Sequence, residues 1–197
     1  TSWGFTADAE VRPAKGLRLR ALGFANWVED LIDLRLAPDQ SGAGGVDDYT
    51  YVNVGKAITS GVQADVSARA AEHLRVEAGY SYLFTREEES QRPLPGRPPH
   101  TFSTALVGEL PFDMTIVARW RFVTSAYLTD ELRAPPFSTL DLRYAKGLWS
   151  GAEAYVGVQN LLGYQKDPLR IGDQRPIEGR TFYLGVRASY PVAGEAE

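Results

Sequence analysis

The side chains most often used for chemistry are scarce in this chain. There is no cysteine among the 197 residues, and only His73 and His100 carry imidazole. Thiolate nucleophiles, disulfides and cysteine-ligated zinc are therefore excluded. Two histidines in separate segments offer little from which to assemble a metal site or a catalytic triad. Ser103 follows His100 closely, but no Gly-x-Ser-x-Gly elbow presents a serine as a nucleophile. Asp47 and Asp48 supply adjacent carboxylates, yet calcium takes about six to eight oxygens and no looped set of ligands accompanies them. The run Glu87-Glu88-Glu89 has the character of a solvated loop. The sequence thus predicts no catalytic residue, no metal site and no resident cofactor. What remains is charge, with 21 basic and 25 acidic residues giving a net −4. The basic residues are dispersed, without the clustered patch that a nucleic-acid partner requires.

Many of those charges fall in the middle of segments that must be strands. Leu74, Val76, Ala78, Tyr80, Tyr82 and Phe84 alternate with Arg75, Glu77, Gly79 and Ser81. Met114, Ile116, Ala118, Trp120 and Phe122 alternate with Thr115, Arg119 and Arg121. Phe182, Leu184, Val186, Ala188 and Tyr190 alternate with Tyr183, Arg187 and Ser189. Successive side chains of a strand point to opposite faces, so each segment separates an apolar surface from a charged one. Helical spacing of three and four is absent from these runs.

Such runs predict about nine strands, near residues 2–12, 17–35, 48–69, 74–86, 100–110, 114–128, 137–147, 152–161 and 180–190. The run from Leu17 alternates less cleanly, because Leu22 and Phe24 share a face with Arg18 and Arg20. Short connectors at 13–16, 70–73, 110–113 and 148–151 alternate with long ones at 36–47, 87–99, 129–136 and 162–179. Strict alternation of short and long connectors describes an up-and-down meander whose two ends face different compartments. No segment approaches the ~20 apolar residues of a spanning helix. A soluble β-sandwich also alternates, but mid-strand charge on one face and abundant aromatics on the other fit a transmembrane β-barrel better. The expected fold is therefore all-β, an antiparallel up-and-down barrel segment. An odd strand number leaves sheet edges whose backbone groups lipid cannot satisfy, so the remaining strands are expected from an N-terminal portion or another chain.

Several segments then carry a family likeness. They are Trp27-Val-Glu-Asp-Leu-Ile32, Asn53-Val-Gly-Lys-Ala-Ile-Thr-Ser-Gly-Val-Gln63, Gly79-Tyr-Ser-Tyr82 and Leu94-Pro-Gly-Arg-Pro-Pro-His-Thr101. Further along are Ser138-Thr-Leu-Asp-Leu-Arg143, Val158-Gln-Asn-Leu-Leu162 and Glu178-Gly-Arg-Thr-Phe-Tyr-Leu-Gly185. Each is weak alone, but in this order they make the chain resemble the C-terminal part of the TonB-dependent outer-membrane receptor barrel. Two positions depart from that pattern. Gln63 stands where the family often has glutamate, and Pro191-Val-Ala-Gly-Glu-Ala-Glu197 follows Tyr190, where the family typically stops at a terminal aromatic.

The resemblance implies a 22-stranded barrel closed by an N-terminal plug, with residues 1–190 forming the last strands and 191–197 a short periplasmic tail. It places the protein in the outer membrane of a Gram-negative bacterium. There it would import a scarce nutrient such as a siderophore, another metal chelate or cobalamin. Implied partners are the plug and remaining strands, TonB acting through that plug, outer-membrane lipid and lipopolysaccharide, and a small-molecule ligand. In such a wall Arg75, Glu77, Arg119, Arg121, Asp141, Arg143, Glu153, Gln159 and Arg187 would face the lumen and plug. Ligand contacts would come from the outer ends, where Trp27, Tyr49, Tyr51, Tyr127 and Tyr164 lie with Arg86, Arg92 and Arg97. Aromatics stack on planar or aryl groups and arginine holds anions, although tyrosine and tryptophan also belong in an interfacial girdle. Asn160 and Gly163 are expected to shape the exit from the eighth strand. The alternative function is a passive pore or surface adhesion barrel without plug coupling.

Overall fold

The computed structural model describes residues 1–30, 32–41, 47–53, 55–129, 132–149, 151–167 and 177–189. Among these residues there is no helix, and one antiparallel sheet of nine strands dominates. Its strands, in chain order, are β1 (Ser2–Ala14), β2 (Leu17–Glu29), β5 (Lys56–Ala71), β6 (Leu74–Glu87), β7 (His100–Leu110), β8 (Met114–Val123), β11 (Phe137–Trp149), β12 (Ala152–Gln159) and β13 (Thr181–Ala188). Each pairs with its predecessor in this series, giving the order β1-β2-β5-β6-β7-β8-β11-β12-β13. Two ribbons lie outside it: β3 (Ile32–Ser41) with β4 (Asp47–Asn53), and β9 (Ala126–Tyr127) with β10 (Arg133–Ala134). Tyr190 and the tail at 191–197 lie outside the described residues.

The meander and its connectors follow the alternation read from the sequence, with three corrections. The run at 17–35 is two elements, broken where Asp30 takes a positive φ of 57°. The run at 48–69 divides likewise, with Gly55 at φ 72° between β4 and β5. Left-handed backbone ends regular pairing, and glycine adopts it without a Cβ clash. The outer halves of both predicted strands therefore leave the sheet and pair with each other as the β3–β4 ribbon. Finally, β8 stops at Val123 rather than near 128, and residues beyond it form β9.

Register sorts the side chains into two faces without exception along the central strands. Trp120 is opposite both Thr104 and Leu140, while its neighbour Arg121 is opposite both Ser103 and Thr139. Directly opposed residues share a face, so the pairing carries Asp65, Gly79, Ser103, Arg121 and Thr139 across one side of the sheet. The other side carries Val62, Val66, Tyr82, Phe84, Phe102, Leu106, Ile116, Trp120, Val156, Leu184 and Val186, all exposed; Leu184 retains 84% of its accessible surface. No second layer covers that apolar face among the described residues. A soluble sandwich would bury such a face against another sheet, and water does not tolerate a patch of this size uncovered.

Aromatic side chains gather at both ends of the apolar face. Near the long loops, Trp3 stacks on Trp27 with ring centroids 4.2 Å apart, and Tyr80 lies against Phe102 at 4.9 Å. His100 joins this group, its Nδ1 lying 2.9 Å from the Tyr80 hydroxyl. At the short-turn end Phe112, Tyr144 and Trp149 are exposed. Two such bands flanking aliphatic strands are what a lipid bilayer selects, since amphipathic rings settle at the headgroup level.

Candidate functional site: the polar face and its outer rim

Register places all nine residues expected to face a lumen on the polar face: Arg75, Glu77, Arg119, Arg121, Asp141, Arg143, Glu153, Gln159 and Arg187. Asp8, Glu10, Arg18, Arg20 and Asp65, none of them among the lumen-facing residues expected from the sequence, join them. Mixed alternation in β2 hid two of them, because Phe24 occupies the polar face for a different reason. Its ring lies over Gly61, where an added Cβ would come within 2.9 Å of the ring and 2.4 Å of the Tyr82 carbonyl oxygen.

The charges are partly paired across strands. Arg20 holds Asp8 through two nitrogens, with Nη2 to Oδ2 at 2.8 Å. Arg143 donates to Glu153 at 2.6 Å while its guanidinium rests over the Tyr155 ring at 4.7 Å. A planar guanidinium suits both contacts at once. Between these pairs lies a hollow of about 570 Å³, edged by Asp65 and Glu77 on one side and by Arg119 and Arg121 on the other. The space is open because Gly79, Ser103 and Ala105 on its floor have small side chains. Asp141 stands opposite Arg119 in register yet accepts its hydrogen bond from the Asn160 backbone N–H at 2.8 Å.

Asn160 is the hub of the last long loop. It is almost fully buried, with 4% of its surface exposed. Its Nδ2 donates to the carbonyls of Tyr164 (2.7 Å) and Glu178 (2.9 Å), and its Oδ1 accepts from the Tyr164 N–H (3.1 Å). The Asn160 side chain thus clamps both ends of the loop, and its backbone N–H links them to Asp141 on the polar face. This extends the sequence expectation that Asn160 shapes the strand exit. Replacing Asn160 with alanine removes three side-chain bonds, from the Tyr164 N–H and to the Tyr164 and Glu178 carbonyls, at about 1–3 kcal/mol for each of these part-buried groups that water does not reach. The expected result is fast amide hydrogen exchange at Tyr164 with little change in β11.

The eight residues expected at the ligand end divide among several positions. Tyr51 is on β4 with 78% of its surface exposed. Tyr127 is on β9, covered by the Arg133 guanidinium 4.1 Å from its ring centroid, and its carbonyl accepts from Gly96 N–H at 2.7 Å. Tyr164 stacks on Phe137, 5.2 Å between centroids. Arg92 and Arg97 lie in the proline-rich loop after β6, both exposed. Leu94 anchors that loop by packing against Ala57, and its N–H donates to Thr85 Oγ1 at 3.0 Å. Trp27 and Arg86 sit elsewhere: register puts both on the apolar face, each opposite Ile58. The side chains of Tyr49, Asp47 and Asp48 lie outside the described residues. Glu87 is not solvated as its neighbours are; it is buried at the end of β6 and accepts from the Ser90 hydroxyl at 2.7 Å. Among the described residues no group of His, Asp and Glu is placed to hold a metal ion.

A sheet apolar and banded with aromatics on one side, charged on the other, and joined by alternately short and long connectors is the wall of an outer-membrane-type β-barrel. The chain belongs to the family described as TonB dependent receptor-like, beta-barrel, which residues 1–161 match. Solved structures similar to it include the copper transporter OprC, at TM-score 0.76 and 20% identity, covering 96% of this chain and 31% of that one. The ferric enterobactin receptor PfeA from Pseudomonas aeruginosa aligns at TM-score 0.72 and 20% identity, with the same coverage of 96% and 31%. The siderophore receptor PirA from Acinetobacter baumannii aligns at TM-score 0.73 and 14% identity, covering 96% and 32%. This chain therefore spans about a third of the length of these relatives. No curated protein matches it in sequence.

Proposed function

We propose that this chain forms part of a TonB-dependent transporter in the outer membrane of a Gram-negative bacterium, importing a scarce nutrient such as a metal chelate. The observation that carries the proposal is the two-sided sheet within a chain of this family. The charged side lines a lumen and contacts a plug, and the apolar side meets lipid. Family membership supports energy coupling through the plug and TonB, with the barrel wall breaking no bond. Relatives named for copper, ferric enterobactin and siderophores favour a metal or its chelate as cargo.

On this reading Tyr51, Arg92, Arg97, Tyr127 and Tyr164 are the ligand-facing candidates at the outer rim. Trp27 and Arg86 belong to the lipid interface, where the Trp3–Trp27 stack forms part of the aromatic band. Uptake of radiolabelled copper or ferric catecholate by cells carrying the full-length receptor separates this function from a passive pore. Uptake is expected to fall by about tenfold or more when a protonophore collapses the inner-membrane gradient or when TonB is deleted. Uptake of either cargo that persists undiminished under both treatments would establish a passive pore.

A further inference from the structure

At the short-turn end, the polar face carries a row of cations with no acidic residue among them. Arg12, Lys15, Arg18, Arg69 and Arg75 surround a hollow of about 670 Å³ whose other lining residues are Ala14, Gly16, Leu17 and Ser67. The row crosses four adjacent strands. Arg12 lies in the β1 bulge that opposes Arg18 on β2, and Ser67, opposite Arg18, carries the row into β5. There Arg69 stands directly opposite Arg75 of β6. Like charges directly opposed in an antiparallel pair repel one another, so this arrangement is destabilising while nothing lies over it.

Backbone geometry holds the cations in place. The Arg69 N–H donates to the Gly16 carbonyl at 2.8 Å, which ties the β1–β2 turn to β5. Gly16 has a φ of 79°, and an added Cβ would meet the Arg69 Cβ at 3.0 Å, so the turn and Arg69 are closely seated. Arg12 has Glu10 at 2.8 Å. Among the described residues, Lys15, Arg18, Arg69 and Arg75 have no carboxylate within ion-pair distance. Carboxylates border the hollow without lining it: Glu10 is paired with Arg12, Glu77 stands opposite Ser67, and Asp65 and Glu77 edge the adjoining hollow, which shares Arg18 and Ser67 with this one.

We propose that this row is a docking site for an extended, acidic polypeptide segment at the turn-side mouth of the barrel. The proposal rests on the reading of the polar face as the lumen side. Neighbouring strands lie about 4.8 Å apart, so cations on four of them span about 14 Å. A single phosphate reaches one or two guanidinium groups and leaves the others unbalanced. An extended chain rises about 3.3 Å per residue and turns alternate side chains to the same face. Four or five residues with carboxylates at alternate positions therefore match both the length of the row and its charge. Arginine pairs with carboxylate through a planar fork, which favours a fixed peptide over mobile counter-ions.

The test places a photo-crosslinking amino acid, p-benzoylphenylalanine, at Ser67 of the full-length receptor in intact cells. Crosslinked peptides are then sequenced by mass spectrometry. The expected product is a segment with carboxylates at alternate positions, captured about fivefold or more less efficiently in R69Q/R75Q. The charge-preserving R69K/R75K variant is expected to retain capture, and the heat-modifiable gel shift of each variant confirms that its barrel is folded. Capture of neutral or basic segments, a yield unchanged in R69Q/R75Q, or no protein product would overturn the proposal. Crosslinking to lipid alone would show instead that the polar face is not the lumen side, a different failure with its own signature.

Discussion

Arginine in place of Leu106 is expected to destabilise the barrel by about 2–4 kcal/mol, while arginine at the adjacent Ala105 costs less than about 1 kcal/mol. The two positions lie near the middle of β7 and differ only in face. Leu106 is opposite Val76 and Ala118 on the apolar side, whereas Ala105 is opposite Glu77 and Arg119 on the charged side. A guanidinium at mid-depth against hydrocarbon must deform the bilayer or snorkel toward its edge. On the other face it meets water, with the attraction of the Glu77 carboxylate offsetting the repulsion of the Arg119 guanidinium. The measurement is equilibrium unfolding of the full-length receptor in lipid vesicles, followed by tryptophan fluorescence. Near-equal costs at the two sites would therefore mean that the faces do not meet different solvents.

The second large effect is expected at Gly185. On the polar face of β12 and β13, two tyrosines lie across two glycines in reciprocal fashion. An added Cβ at Gly185 would come within 2.4 Å of the Tyr155 hydroxyl oxygen and 2.6 Å of its Cζ, both in one side chain. At Gly157 it would meet the Tyr183 ring at 2.3 Å and the Leu142 backbone oxygen at 2.8 Å. Aromatic cover over glycine compensates the missing side chain and pins register, and overfilling such a site costs about 1–3 kcal/mol. Gly185→Ala should therefore lose stability in the native background and lose almost none when Tyr155 is also alanine. Gly157→Ala should be rescued only partly by Tyr183→Ala, because a backbone oxygen remains in the way. Urea unfolding of the four variants and the two double variants checks this contrast. Full rescue at Gly157, or none at Gly185, would show that the rings are not what excludes a side chain.

Much of this architecture was legible because lipid imposes a simple rule on sequence. Alternation in β6, β8 and β13 was plain, and the polar face it predicted holds every residue assigned to it. Where a residue serves a local contact instead of a solvent, the rule misleads. Phe24 faces the polar side to cover Gly61, and this blurs the pattern of β2, so that Arg18 and Arg20 share a face with apolar residues and do not read as lumen-facing. Trp27 and Arg86 lie toward the outer ends, where the sequence does not distinguish ligand from interface; pairing with Ile58 places them on the apolar face. The β3–β4 ribbon is not distinct in sequence, since its residues alternate as the sheet strands do and only Asp30 and Gly55 break the run. Asn160 was recognised as a loop-shaping residue, but its bonds to Tyr164 and Glu178 join positions that no local pattern connects.

The most direct test of the two-solvent wall uses single cysteines introduced into these 197 residues, which hold none of their own. Nitroxide labels at Ile116, Val117, Ala118, Arg119, Trp120 and Arg121 of the receptor in bilayers would be probed with oxygen, which concentrates in lipid, and with a water-soluble nickel chelate. Labels at the even positions are expected to respond to oxygen and those at the odd positions to nickel, with a period of two residues along β8. Equal responses at neighbouring positions, or water access at Ala118, would contradict a wall with lipid on one side and water on the other.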